Sequence, residues 1–327
     1  MYLQTFIPLF LAVHIPVENG VWEYGPEYVF SVNMYMGRPL LCVDCCIFGT
    51  RIFFRLYCLP KMTDSSRFWG RKTALSCRLR YVNGFILSMN DEDNKILHRQ
   101  KNISDAPFEL HYNEKGIEKI IISQTTNMYD LNILRVVVAE QLHPGATFKD
   151  LDHDINNVLS KQYKFEDTSV STVGRCNVNF DIRRRIVLNE SLSSYHNFRL
   201  VPLSPKLRIN SDEIIVIKKT PDLDNCSCYA ESYYGKYKYN KYSPKVDNDY
   251  LRQLPHLEKT ISTMQIEKKN FVSSTVREGR LFSNESIITI TDVILEDIRP
   301  AQKEAPTITK PGETTIQAND DIRSIST

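Results

Sequence analysis

Residues Asp150, Asp152, His153 and Asp154 form the run "DLDHD", a dense cluster of metal-ligating side chains. Three carboxylates and an imidazole within five positions could hold a cation. A polar loop with solvated charges accounts for the same run, and we read it so. No second cluster supplies the missing ligands, and the seven histidines show no convergent spacing. No nucleophile elbow, phosphate loop or zinc-protease helix is present. The chain therefore reads as a non-enzyme, with no catalytic residue, no metal and no cofactor expected.

The eight cysteines are Cys42, Cys45, Cys46, Cys58, Cys77, Cys176, Cys226 and Cys228. "CVDCC" has a Cys-x-x-Cys spacing, but "CSC" is too tight for a second half-site and no histidine follows at finger spacing. An even count fits structural disulfides, with 105 connectivities open. Idle thiols and metal ligation are the alternatives. Two basic stretches stand out: Arg183, Arg184 and Arg185, and "GKYKYNKYSPK" with Lys236, Lys238 and Lys241. Tyr interleaved with Lys can suit nucleic acid, and a strand or loop with solvated lysines gives the same pattern. The net charge of +2 gives no bulk electrostatic attraction to nucleic acid, and none is expected as partner. Sequons for N-glycosylation occur at Asn102, Asn189, Asn225 and Asn284. Asn225 is the weakest, because it abuts Cys226.

These residues must be positioned by strands for the most part. Tyr28, Phe30, Val32 and Met34 alternate with Val29, Ser31, Asn33 and Tyr35, the period of a strand. "GTRIFFRLYCLPK" and "RKTALSCRLRYVNGFILSM" repeat this style with basic residues interleaved. Phe108, Leu110 and Tyr112 lead through a turn at Asn113–Gly116 into Ile117–Ile122, a hairpin. Met128, Leu131, Leu134 and Val138 fall at helical spacing, and Ile133 and Val137 widen the apolar stripe until the helix is buried on most sides. His143, Pro144 and Gly145 stop it. "DLDHDINNVLS" is a second, short helix candidate. Strand patterns return after Thr168 and run to Ile298. The run "EIIVIKKTPDLDNC" ends in a turn-rich stretch that closes on Cys226. Many short strands around one buried helix point to a large, curved or closed antiparallel sheet, barrel-like, wrapped on a central helix.

Phe6–Val17 is apolar, of signal-peptide length and too short to span a bilayer. It lacks a basic n-region. We expect a signal peptide at 1–20, a β-rich domain at 21–298 and a disordered polar tail at 299–327. No other segment is long enough to cross a membrane as a helix.

Six stretches, in order, resemble the vitellogenin amino-terminal domain of the large lipid transfer proteins. They are "WEYGPEYVFSV", "FELHYNEKGIEKIIIS", "DLNILRVVVAEQL", "EDTSVSTVGRCNVNFDI", "KKTPDLDNC" and "NFVSSTVREGRLFSNES". The resemblance covers about Val21 to Ile298. It implies a lipovitellin-like sheet wrapped on a helix, and a secreted, extracellular lipid-transport protein reduced to its amino-terminal domain. The later sheets that hold lipid in full-length members have no counterpart in this sequence. Lipid would then be met only through a larger assembly. The alternatives are a binding module that carries no lipid, and a fragment of a longer vitellogenin. The resemblance also implies a receptor of the low-density-lipoprotein-receptor type, which carries acidic modules. Lys236, Lys238 and Lys241 are its candidate contacts, with Arg183, Arg184 and Arg185 second. For the disulfides the candidates are Cys58, Cys77, Cys176, Cys226 and Cys228. By resemblance the "KKTPDLDNC" stretch ends a strand and Cys226 joins a local bridge. Cys228 is its nearest partner, but a Cys-x-Cys ring is strained, and a partner elsewhere stays open. Relatives pair the cysteine at position 176 with one just after the helix, where this chain has "QLHPGATF" and no cysteine.

Overall fold

The computed structural model describes residues 2–7, 11–16, 23–38, 49–61, 74–87, 103–113, 116–142, 145, 162–172, 174–186, 199–202, 213–227, 256–267, 269–280, 284–317 and 322–325. The elements are β1 (Tyr2–Ile7), β2 (Leu11–Pro16), β3 (Pro26–Gly37), β4 (Gly49–Lys61), β5 (Ala74–Leu87), β6 (Phe108–Asn113), β7 (Gly116–Ser123) and α1 (Met128–Gln141). They continue with β8 (Gln162–Ser171), β9 (Gly174–Ile186), β10 (Arg199–Pro202), β11 (Glu213–Ser227), β12 (His256–Ile266), β13 (Phe271–Arg280), β14 (Ser286–Pro300), β15 (Pro311–Thr314) and β16 (Arg323–Ser324). Thirteen strands form one sheet in the order β16-β15-β7-β6-β5-β4-β3-β14-β13-β12-β11-β9-β8. The segment read as an export leader contains β1 and β2, which pair with each other and, through β2, with β10.

Alternation decides which face is inside. Tyr28, Phe30, Val32 and Met34 on β3, Phe54 and Leu56 on β4, and Leu75 and Leu79 on β5 enter one core with Phe180, Ile182, Ile215 and Ile217 from β9 and β11. The helix lies in that core. Asn127 caps it, its side-chain oxygen accepting from the Asp130 amide at 2.9 Å. Leu131, Leu134, Val137 and Val138 are all buried, as the periodicity requires. Its Cα atoms come within 8 Å of those in β12, β13, β14 and β8. The inward positions of these strands include Ser262, Ser273, Thr275, Thr289 and Thr291, all buried. Small side chains let a helix approach a sheet closely. Thr275 and Ser262 bond hydroxyl to hydroxyl at 2.8 Å, and Arg277 donates to Thr172 at 2.7 Å.

The expected fold class is present: a mainly β chain, a large antiparallel sheet and one central helix. The hydrogen-bonded ladder is not closed among the described residues, with β8 and β16 at its ends. A cavity of about 320 Å³ lies where the two wings of the sheet meet. Ile117 and Glu118 line one side, Thr168, Val170 and Arg175 the other, with Thr315–Gln317 between them.

The expectation of a disordered tail from Arg299 onward is corrected. β14 runs to Pro300, and β15 pairs with β7 from Pro311 to Thr314. The connection Ala301–Lys310 passes five intervening strands, about 29 Å at the usual strand spacing. Ten extended residues reach about 33 Å. Sparse apolar anchors, Ala301, Ile308 and Ile316, are buried within this polar composition. Arg135 of α1, fully buried, gives Nε to the Thr315 carbonyl at 3.0 Å and Nη2 to Thr314 Oγ1 at 2.5 Å. Composition alone could not show that the helix supplies a donor for this backbone. The second helix candidate, residues 150–160, lies outside the described residues.

Candidate functional site

Strand β9 alternates. Val178, Phe180 and Ile182 point into the core, and Asn177, Asn179 and Arg183 point out. The three consecutive arginines are therefore split. Arg183 and Arg185 are exposed, while Arg184 is partly buried and pairs with Glu213 at 3.5 Å. Arg183 bonds Asp181 two residues away, Nη2 to Oδ2, at 2.6 Å. Gln162 of β8 donates to the same carboxylate at 2.8 Å.

Register adds residues that the sequence reading missed. Lys164 on β8 and Lys218 on β11 both face Asp181 across the ladder. Both lysines are exposed. The Arg183 hydrogen bond, against some desolvation, holds the Asp181 carboxyl below its ordinary range; Gln162 and the nearby lysine field assist. A shallow groove of about 430 Å³ follows this outer surface beside Lys164, Glu166, Asn179, Asp181, Lys218 and Thr220. On the opposite side of the ladder Phe165 and Phe180 stack at 4.8 Å and fix the β8–β9 pair. The arrangement sets Lys164, Arg183 and Lys218 around Asp181, with Glu166 beside the same groove, a surface for acidic groups rather than for bond chemistry. Lys164 and Lys218 could have been found only from strand pairing, because no local motif marks them.

Two other charged clusters are internal ties. Glu27, buried, accepts from Arg78 at 3.3 Å and from Arg299 at 2.8 Å. Both guanidiniums sit over the Tyr57 ring, at 6.0 and 5.3 Å. Glu109 takes Lys61 at 2.5 Å and His111 at 3.2 Å.

Among the described residues, two disulfides join directly opposed residues. Cys58 on β4 bonds Cys77 on β5, and Cys176 on β9 bonds Cys226 on β11. The second depends on an irregularity. The β9–β11 register shifts between Asp222 and Cys226, so Leu223, Asp224 and Asn225 bulge out and Cys226 comes to face Cys176. The "KKTPDLDNC" stretch forms the last part of β11, which ends at Ser227. It bulges before Cys226, and that cysteine bonds the adjacent strand β9 rather than Cys228. Leu257, Leu223 and Ile287 pack around this bridge. Lys236, Lys238, Lys241, Cys228, Asn102 and Asn189 lie outside the described residues. Asn284 is exposed, and Asn225 is exposed with its amide donating to Asp222 at 2.6 Å.

The family model described as the vitellogenin N-terminal domain matches residues 77–290. The chain belongs to the vitellogenin N-terminal domain family. No curated protein matches it. Three solved structures are similar in part. One, described as "Lipid-protein interactions in lipovitellin", is 10% identical with a TM-score of 0.49, over 88% of this chain and 27% of that chain. The second is described as "Asymmetric conductivity of engineered proteins", 7% identical with a TM-score of 0.19, over 82% of this chain and 98% of that one. The third is a mutant porin of Rh. blastica, 6% identical with a TM-score of 0.18 over the same shares. The chain spans about a quarter of the lipovitellin chain. The vitellogenin family match begins in β5 and holds α1, Cys176–Cys226 and the Asp181 cluster, while β3, β4 and the segment after residue 290 lie outside it. No helix among the described residues is long and apolar enough to cross a membrane.

Proposed function

We propose that this chain is an exported vitellogenin-family module that engages an acidic receptor, of the low-density-lipoprotein-receptor type, through cations on its outer face. Lipid is met only through a larger assembly. One observation carries the reading: Lys164, Arg183 and Lys218 converge on the outer face of β8, β9 and β11 around the Asp181 carboxylate. Arg185 extends the cluster, and Lys236, Lys238 and Lys241 are further candidates. Arg184, turned inward to Glu213, is a structural residue in this account. The disulfides support export, since such bonds persist in oxidising compartments. The segment at 1–20 would carry the export signal, and Asn284 would be open to glycosylation. Packing supports the lipid half of the reading. A lipid tail needs an apolar pocket of several hundred Å³, whereas the inner face of the sheet is filled by α1 and the main core.

Two measurements on purified protein test this: binding to an acidic receptor module across a salt series, and lipid mass spectrometry of an organic extract. Binding that weakens with salt and an extract with far less than one lipid per chain are expected, since exposed charges are screened within about 8 Å at physiological ionic strength. Near-stoichiometric lipid with salt-independent binding would make the chain an autonomous carrier.

A further inference from the structure

The outer face of β4 and β5 breaks two rules of strand pairing at one spot. Arg55 and Arg80 stand directly opposite each other, a like-charge pair that destabilises a sheet. Next to them the register shifts between Phe53 and Arg55, a β-bulge on β5. Leu79 and Val82 both belong to the core side, so Arg80 and Tyr81 project outward together. Tyr81 is held at φ 56, in the left-handed region. A bulky residue rarely adopts it, and such outliers gather at functional sites. Bulges also re-aim side chains. Tyr81 is 63% exposed, the most exposed large aromatic among the described residues.

The surroundings are cationic. Arg51 is exposed and bonds Asn33 at 2.8 Å. Arg55 bonds Glu296 at 2.8 Å on the side away from Arg80. Arg80 has no hydrogen bond or ion pair among the described residues. Folding gains nothing evident from a strained tyrosine beside two opposed arginines. A partner would: arginine forks match carboxylates, and tyrosine with arginine is the usual composition of an interface anchor.

We infer that Arg80 and Tyr81, with Arg51 and Arg55 flanking them, form a docking site for an acidic protein surface, with carboxylates on the arginines and an apolar or planar group on the Tyr81 ring. Charge complementarity selects this occupant, because among the described residues Glu296 is the one carboxylate bonded to any of these three arginines. The site lies on the other wing of the sheet from the Asp181 cluster, and it stands or falls independently of the receptor reading.

The probe is a fluorescent octaglutamate peptide with one central tryptophan, titrated against the full chain, with an octalysine analogue as control. Arg80→Ala and Tyr81→Ser should each weaken binding about tenfold, and Lys303→Ala, at an exposed cation outside both basic clusters, should leave it within about twofold. Tyr81→Gly separates function from folding: glycine accepts the left-handed backbone, so this variant should unfold at an equal or higher temperature while losing the probe. Unchanged probe affinity in Arg80→Ala and Tyr81→Ser overturns the inference, as does a Tyr81→Gly variant that unfolds at a lower temperature. Tighter binding of phosphatidylserine vesicles than of the peptide, lost in the same variants, would assign the site to membranes instead. A monomer–dimer equilibrium abolished by Tyr81→Ser would assign it to a second copy of this chain.

Discussion

On the outer face of β9, Asp181 lies in register between Lys164 and Lys218 and is held by Arg183. On the outer face of β4 and β5, Arg55 lies in register with Arg80, and the nearest carboxylate comes from β14 on the far side. Both surfaces are cationic. The first is arranged as a sheet arranges charges for its own sake, opposite signs facing across the ladder. What remains for a partner is a surplus of exposed lysines, suited to long-range steering and on-rate. The second works against the sheet and adds a fixed aromatic, the composition of an anchor that resists dissociation. The difference teaches where to look for binding on a β surface: charge alone marks both wings, and charge that its own register leaves unsatisfied marks one.

The largest predicted effect removes the frame that both wings share. Leu134 of α1 is 5% exposed. Leu134→Asp buries an uncompensated carboxylate and should cost about 3–5 kcal/mol, seen as loss of a cooperative denaturant transition. A variant with wild-type stability would mean that the wings are not held by this helix. Next, Cys176→Ala with Cys226→Ala opens a bridge between residues 50 apart, for which chain entropy gives about 4 kcal/mol. The loss should appear in the denaturation midpoint, and an unshifted midpoint would show that the β9 wing does not need its bridge. Tyr81→Gly should shift stability the other way, by about 0.5–1 kcal/mol, since the left-handed penalty for a side chain exceeds the entropic cost of glycine. Destabilisation would show that the bulge on β5 is structural.

The smallest effect is in acid. The His111 hydrogen bond, with Lys61 assisting against desolvation, holds the Glu109 carboxyl below its ordinary 4.5. A depressed folded pKa contributes stability that is complete above 4.5 and fades as pH falls through the lower folded value. Glu109→Gln should therefore flatten the stability curve below about pH 4.5 and leave its slope near pH 7 unchanged. An identical acid limb in wild type and variant would remove Glu109 from the account.

Period and turn chemistry made part of this legible in sequence. The β6–β7 hairpin and α1 lie where alternation, Asn113–Gly116 and the 3.6-residue stripe put them. The fold of residues 301–317 was not legible, because three apolar anchors in a polar run look like composition noise until Arg135 is known to face them. Arg183–Arg185 were visible as a basic triplet, but only alternation on β9 turns Arg184 inward. Lys164, Asp181 and Lys218 are joined by register, which local patterns do not carry. The Cys176–Cys226 pair is hidden for the same reason: it needs a three-residue bulge at Leu223–Asn225. Tyr81 carries no sequence signal at all, since its strain comes from the bulge that aims it.

The most direct measurement compares Asp181→Asn and Arg80→Ala side by side, each titrated with the acidic peptide probe at low and physiological salt. Removing Asp181 frees three cations on the β9 wing and should tighten binding and steepen its salt dependence. Removing Arg80 should weaken binding with the fold unchanged. If both variants bind as the wild type does, or if Asp181→Asn binds more weakly, then unsatisfied cations are not what this sheet presents to its partners, and the account is contradicted.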